Sequence, residues 1–233
     1  MYTRWRIDPE IESGNNIDRF INLSTCFCII AMNFQKIKES DDVELPLLLR
    51  NRLTSLVGYV QEKIEAGQFD GLTLAEIAKD NRMTIPQLME FGFTKANLVC
   101  HAVVAYNEQM MATLIPQDLA SLGSSVEEQI QAYLLQMYHY DAKRLVFKTA
   151  AQSYVWSWSV VDEGRYTNQI MKLMSPIYMA LHAHGFSQID ARCQAIWALY
   201  MRGLRAAAVS KGTPDDCLNT VRQALQLITE SKK

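Results

Sequence analysis

From Leu45 onward, apolar positions recur at intervals of three and four, and breakers separate long amphipathic segments instead of falling every few residues as in strand-rich chains. This period predicts helices. They are expected over 46–66, closed by Gly67, then over 73–80, 85–91 and 95–114, the last stopped before Pro116. Further helices are expected over 125–140, 142–161, 165–183, 187–209 and 214–230, separated by Gly123, Gly164, Gly185 and the Gly-Thr-Pro at 212–214. The expected fold class is all-α. Residues 1–45 carry two periods at once: Phe20, Leu23, Phe27, Ile30 and Phe34 have helical spacing, while Ile21, Leu23, Phe27 and Ile29 alternate as in a strand.

One region has a finer pattern. Thr73-Leu74-Ala75-Glu76 is a capping box, in which a Thr hydroxyl and a Glu carboxylate exchange hydrogen bonds with each other's backbone amides. Thr84-Ile85-Pro86-Gln87 repeats it, with Pro86 tolerated because first-turn amides have no partner inside the helix. Between the boxes, Asn81-Arg82-Met83 leaves room for a tight turn only, and Asn81 is a residue that enters the left-handed region at modest cost. Thr94 is a third N-cap, which places Lys95 in a first helical turn beside free amides, a position suited to phosphate.

The stretch AGQFDGLTLAEIAKDNRMTIPQLMEFGFTKANL, with the helix before it, resembles the tetracycline-repressor (TetR-like) family of transcriptional regulators. Gly67-Gln68-Phe69-Asp70 looks like that family's glycine-aromatic turn, and Ile77-Ala78 like its first-helix core. Leu88 and Lys95 look like its recognition-helix leucine and the lysine that follows. Four positions depart from the pattern: Arg82 stands in place of Gly, Met89 in place of a phosphate-contacting Tyr, Gly92 in place of Phe, and Glu90 where the family is basic or neutral.

The resemblance implies an N-terminal helix-turn-helix three-helix domain over 46–97 and a larger helical ligand-binding and dimerisation domain over 98–233, with 1–45 as an extension of no assigned role. It further implies a homodimer on double-stranded DNA, controlled by a small effector. The DNA-binding candidates are Thr84 and Lys95 for phosphates, Gln87 for a base edge, and Thr73 and Met89 beside them. The alternative is a TetR-like protein that has lost DNA binding and acts through a protein partner.

In the resembling family the last two helices form the dimer. Here Leu218, Val221, Leu225 and Ile228 make an apolar stripe, and the helix before it is apolar on most faces and rich in small residues. The interface candidates are therefore these four with Ala195, Ala198, Leu199 and Arg202. Met and aromatic residues crowd the middle segment, either as core or as the lining of an adaptable pocket. Met137, Tyr138, Phe147, Tyr154, Trp156, Trp158, Met174 and Tyr178 are the ligand candidates, and the effector they suit is apolar or aromatic. Trp156 and Trp158, two apart on a helix, cannot face the same interior.

A formal charge of −2 provides no global field for nucleic acid, so any DNA contact must be local. Residues 46–97 balance six basic against six acidic side chains. Five scattered cysteines fit a reducing compartment, and the cytoplasm is the expected location. The run Phe20–Phe34 is too short and too interrupted by Asn, Ser and Thr to span a bilayer, so no membrane association is expected. Cys26 and Cys28 lack a second ligand pair, while Cys100-His101 and the pair His182 and His184 diverge on helices. The sequence thus suggests no catalytic residues, no metal site and no cofactor.

Overall fold

The computed structural model describes residues 47–90, 92–114 and 119–230, all within the compact unit Leu45–Lys233. Its helices are α1 (Leu47–Glu65), α2 (Leu74–Asp80), α3 (Ile85–Glu90), α4 (Lys95–Leu114), α5 (Val126–Ala142), α6 (Leu145–Ala151), α7 (Val160–Ala183), α8 (Ile189–Ser210) and α9 (Pro214–Glu230). Three 3-10 turns join them, at Phe69–Gly71, Leu119–Leu122 and Gln152–Ser157. The described residues contain no strand, so this part of the chain is all-α, as its period predicts. The ambiguous segment 1–45 lies outside the described residues.

The start signals act as read. The Thr73 hydroxyl accepts from the Glu76 amide at 3.2 Å while the Glu76 carboxylate accepts from the Thr73 amide at 2.7 Å. The Thr94 hydroxyl accepts from the Asn97 amide at 3.1 Å and opens α4. Two further boxes, Ser125 with Glu128 and Thr213 with Asp216, open α5 and α9 by the same exchange.

The stop signals are more uniform than the sequence suggests. α1, α2 and α3 each end in the same pair of hydrogen bonds, in which the second residue past the cap reaches back five positions: Gln68 to Lys63, Met83 to Ala78, Phe93 to Leu88. The residue between must have positive φ, and these are Gly67 (66°), Arg82 (54°) and Gly92 (70°). Two of the departures from the TetR-like pattern are thereby accounted for. Gly92 ends α3 without strain. Arg82 rather than Asn81 takes the left-handed position in the turn, at a cost of about 1 kcal/mol relative to an ordinary helical residue. Asn81 keeps φ at −97° and donates its side-chain amide to the Ile77 carbonyl at 2.8 Å.

One expected boundary moves. The helix predicted over 142–161 is α6 followed by a 3-10 turn, and α7 starts at Val160 instead of near 165. Ser159 sets this start, because its hydroxyl accepts from the Asp162 amide at 3.2 Å. Gly164 then lies inside α7, as does Pro176.

Two apolar cores lie along α4. The first gathers Leu56, Val60 and Ile64 of α1, Ile77, Leu88, and Leu98 to Tyr106 of α4, together with Phe147, Ala151 and Trp158. The second gathers Met110, Met111 and Leu114 with the inner faces of α5, α7, α8 and α9. Tyr140 and Tyr166 pack against both. The helix-turn-helix is therefore built on α6 and the 3-10 turn after it, as well as on α1 and α4. In the second core α8 passes close to its neighbours at Gly203, where a Cβ would stand 2.8 Å from the Cys217 carbonyl oxygen and closer still to the Tyr138 hydroxyl.

Candidate nucleic-acid interface and effector site

α2 and α3 cross through the Asn81–Thr84 turn because Ile77, Ala78, Met83 and Leu88 are buried together. Full burial of a leucine such as Leu88 contributes about 1.5–3 kcal/mol, which sets the crossing firmly. The outer face of α3 then shows Thr84, Ile85, Pro86 and Met89, with Ile85 43% and Met89 67% exposed. Thr73, Lys79 and Arg82 are exposed beside it.

Two of the five DNA-binding candidates are already engaged within the chain. The Lys95 ammonium donates to the carbonyls of Phe69 (2.9 Å), Asp70 (3.0 Å) and Leu72 (2.8 Å) and lies 4.9 Å from the centre of the Phe69 ring. Its three protons are used, so it ties the 3-10 turn to α4 in place of the phosphate role read from the sequence. The Gln87 carbonyl oxygen accepts from the Thr84 amide at 2.9 Å, which folds that side chain back onto the start of α3. Thr73 and Thr84 are N-caps with exposed hydroxyls, and Met89 stands free on the surface.

The eight ligand candidates are not brought together. Met137, Tyr138 and Met174 belong to the second core, while Phe147 and Trp158 belong to the first, with Tyr154 packed against it. Trp156 is 72% exposed and Tyr178 38%, so neither lines an interior, whereas Trp158, at the end of the 3-10 turn, is buried. An open groove of about 630 Å³ runs between α6 and the end of α8, bordered by Leu145, Val146, Thr149, Ala150, Ala208 and Lys211. None of the eight borders it.

Composition did not reveal a buried polar cluster where α4, α5, α6 and α8 meet. Asp141, fully buried, accepts a hydrogen bond from the Tyr200 hydroxyl and lies 3.5 Å from the Lys148 ammonium. Lys148 also donates to the Asn107 carbonyl oxygen at 3.0 Å and sits 5.3 Å from the centre of the Tyr106 ring. Burial, then the Asp141 charge, pushes the Tyr200 hydroxyl far above the usual phenol range and holds it as a donor. Asp141 Oδ1 and Asn107 Nδ2 have no hydrogen-bond partner among the described residues, nor do Gln169 Oε1 and Trp158 Nε1. Unmatched groups of this kind cost about 1–3 kcal/mol each. The only sequence signal for the cluster was a set of polar residues at core-facing helical positions.

Side-chain bridges fasten the helix-turn-helix region to the larger half. Arg144, just before α6, donates to Glu65 and to the Gln61 carbonyl oxygen (2.9 Å) on α1. The Tyr154 hydroxyl donates to Asp70, and the Asn97 side-chain amide donates to Asp162 at 2.7 Å.

The dimer candidates also divide. Leu218, Val221 and Leu225 are buried in the second core of their own chain, because α9 turns its apolar stripe onto α5 and α8. They cannot also form an intermolecular surface, and this corrects the sequence reading. Ile228 and Leu199 are half-buried against the same core and Ala195 is half-buried, whereas Ala198 and Arg202 are exposed on α8. Val209 (82% exposed) and Leu227 (71%) are bare apolar side chains on these two helices.

Burial pushes the thiols of Cys100 and Cys193 up to about 12 and that of Cys217 to about 11, which leaves them protonated and poor nucleophiles. Among the described residues no group of three His, Cys, Asp or Glu side chains is placed to hold a metal, and no helix is long and apolar enough to cross a membrane.

No protein-family model and no curated protein matches this chain. Among solved structures, it is similar to a bacterial regulatory protein of the TetR family from Rhodococcus RHA1, with 14% identity over 76% of this chain and 96% of that one, at a TM-score of 0.50. At this identity the likeness is one of fold.

Proposed function

We propose that this protein is a ligand-responsive transcriptional regulator that binds double-stranded DNA as a homodimer through α2 and α3. The observation that carries the reading is the helix-turn-helix itself: three successive helices with matched caps hold α3 outward on a fold shared with a TetR-family regulator. A small effector would act at the Asn107–Asp141–Lys148 cluster, whose unmatched atoms favour a ligand with polar groups over the purely apolar one suggested by composition. α6 joins that cluster to the DNA-binding face, since Lys148 enters the cluster while Phe147 enters the core beneath α2 and α3. A shift of α6 would change the separation of the two recognition helices and hence their fit to half-sites.

A second reading keeps the fold without the DNA. The bare Ile85 and Met89 and the engaged Lys95 favour a protein partner on α3. Titration of genomic duplex fragments with the full-length protein separates the two. Saturable binding supports the regulator, and no binding at about 50 mM salt, where phosphate contacts are strongest, supports the partner.

A further inference from the structure

The side chains that α3 offers to a partner are unusual for a reader of base edges. Gln87, the one amide on the helix, is folded onto the Thr84 amide. Ile85 and Met89 stand one turn apart on the same face, both exposed, with Pro86 exposed between them. In the major groove every base presents a donor or an acceptor, but thymine alone adds a methyl group, which apolar side chains recognise. Beside this face, Lys79 and Arg82 are exposed and make none of the ion pairs found among the described residues. Asp80 accepts from the Tyr59 hydroxyl at 2.7 Å and Glu76 caps α2, and both carboxylates keep their charge. Lys79 and Arg82 thus offer two exposed cations at the rim, while the centre suits methyl groups.

Resting on the DNA-binding reading, we infer that Ile85 and Met89 select duplex DNA by covering thymine 5-methyl groups, so that each half-site has a thymine-rich centre instead of a guanine contacted by arginine or lysine. Pro86 fixes the first turn of α3 and keeps the two side chains at a constant spacing. Specificity then comes from shape and apolar contact, with Lys79 and Arg82 supplying register on the backbone.

The test begins with selection of duplexes from a random library by the full-length protein. The thymines of the selected site are then replaced by deoxyuridine, which removes the methyl groups and leaves every hydrogen-bonding edge intact. Affinity is expected to fall about fourfold for each covered methyl group, the loss expected for one buried methyl. Ile85→Ala and Met89→Ala alter only exposed side chains and should fold normally while losing this discrimination. Equal binding of the thymine and uracil duplexes would overturn the inference and leave the regulator reading standing, as would undiminished discrimination in both variants. If selection enriches no duplex at all, the DNA-binding reading fails together with the inference.

Discussion

The Lys95 ammonium holds three backbone carbonyls, so its removal acts on folding before it acts on DNA. Lys95→Met should destabilise the chain by about 1.5–3 kcal/mol, the range for hydrogen bonds to a charged group, and a urea titration would measure this. Were Lys95 a phosphate ligand, the variant would keep its stability and lose affinity alone. The motif spacing placed this lysine at the start of α4, but spacing cannot show that the carbonyls of the 3-10 turn point at the same spot. Arg82 shows the same limit: the turn demanded one left-handed residue, and propensity favoured Asn81. The closing hydrogen bonds put Arg82 there, because Asn81 is still needed as the cap of α2.

At the scale of elements, α6 links the first core, through Phe147, to the buried polar cluster, through Lys148. Lys148→Met should cost about 3–5 kcal/mol, because it leaves Asp141 buried without its cation. The double variant Asp141→Leu, Lys148→Met should recover part of that loss, and equal destabilisation in single and double variants would deny the pair its role. Most helices were legible from their caps and period, since Thr73, Thr94 and Gly67 act locally. The start of α7 was not, because Gly164 suggested a break while the effective signal was Ser159 accepting from Asp162. The polar cluster was hidden for another reason. Asn107, Asp141 and Lys148 come from three helices, and nothing local reports that they meet.

For the whole molecule, α9 covers its own core, and Ala198 and Arg202 of α8 and Leu227 of α9 stay exposed, the side chains open to the proposed second copy. Ala198→Glu should therefore yield a folded monomer, while Leu225→Glu, fully buried in the chain, should unfold it. Analytical sedimentation with circular dichroism distinguishes these outcomes, and a wild-type monomer at micromolar concentration would remove the dimer from the account. As proposed, α2 and α3 bind DNA through few phosphates. With Lys95 engaged, Lys79 and Arg82 remain as cations on each subunit, so a dimer neutralises roughly four phosphates and its log–log salt slope should be about −4. The direct test is the affinity of the full-length protein for a selected duplex, followed by fluorescence anisotropy between about 50 and 200 mM salt, the range over which phosphate contacts weaken steeply. A slope near that value supports the account, and no detectable affinity at the lowest salt would contradict it.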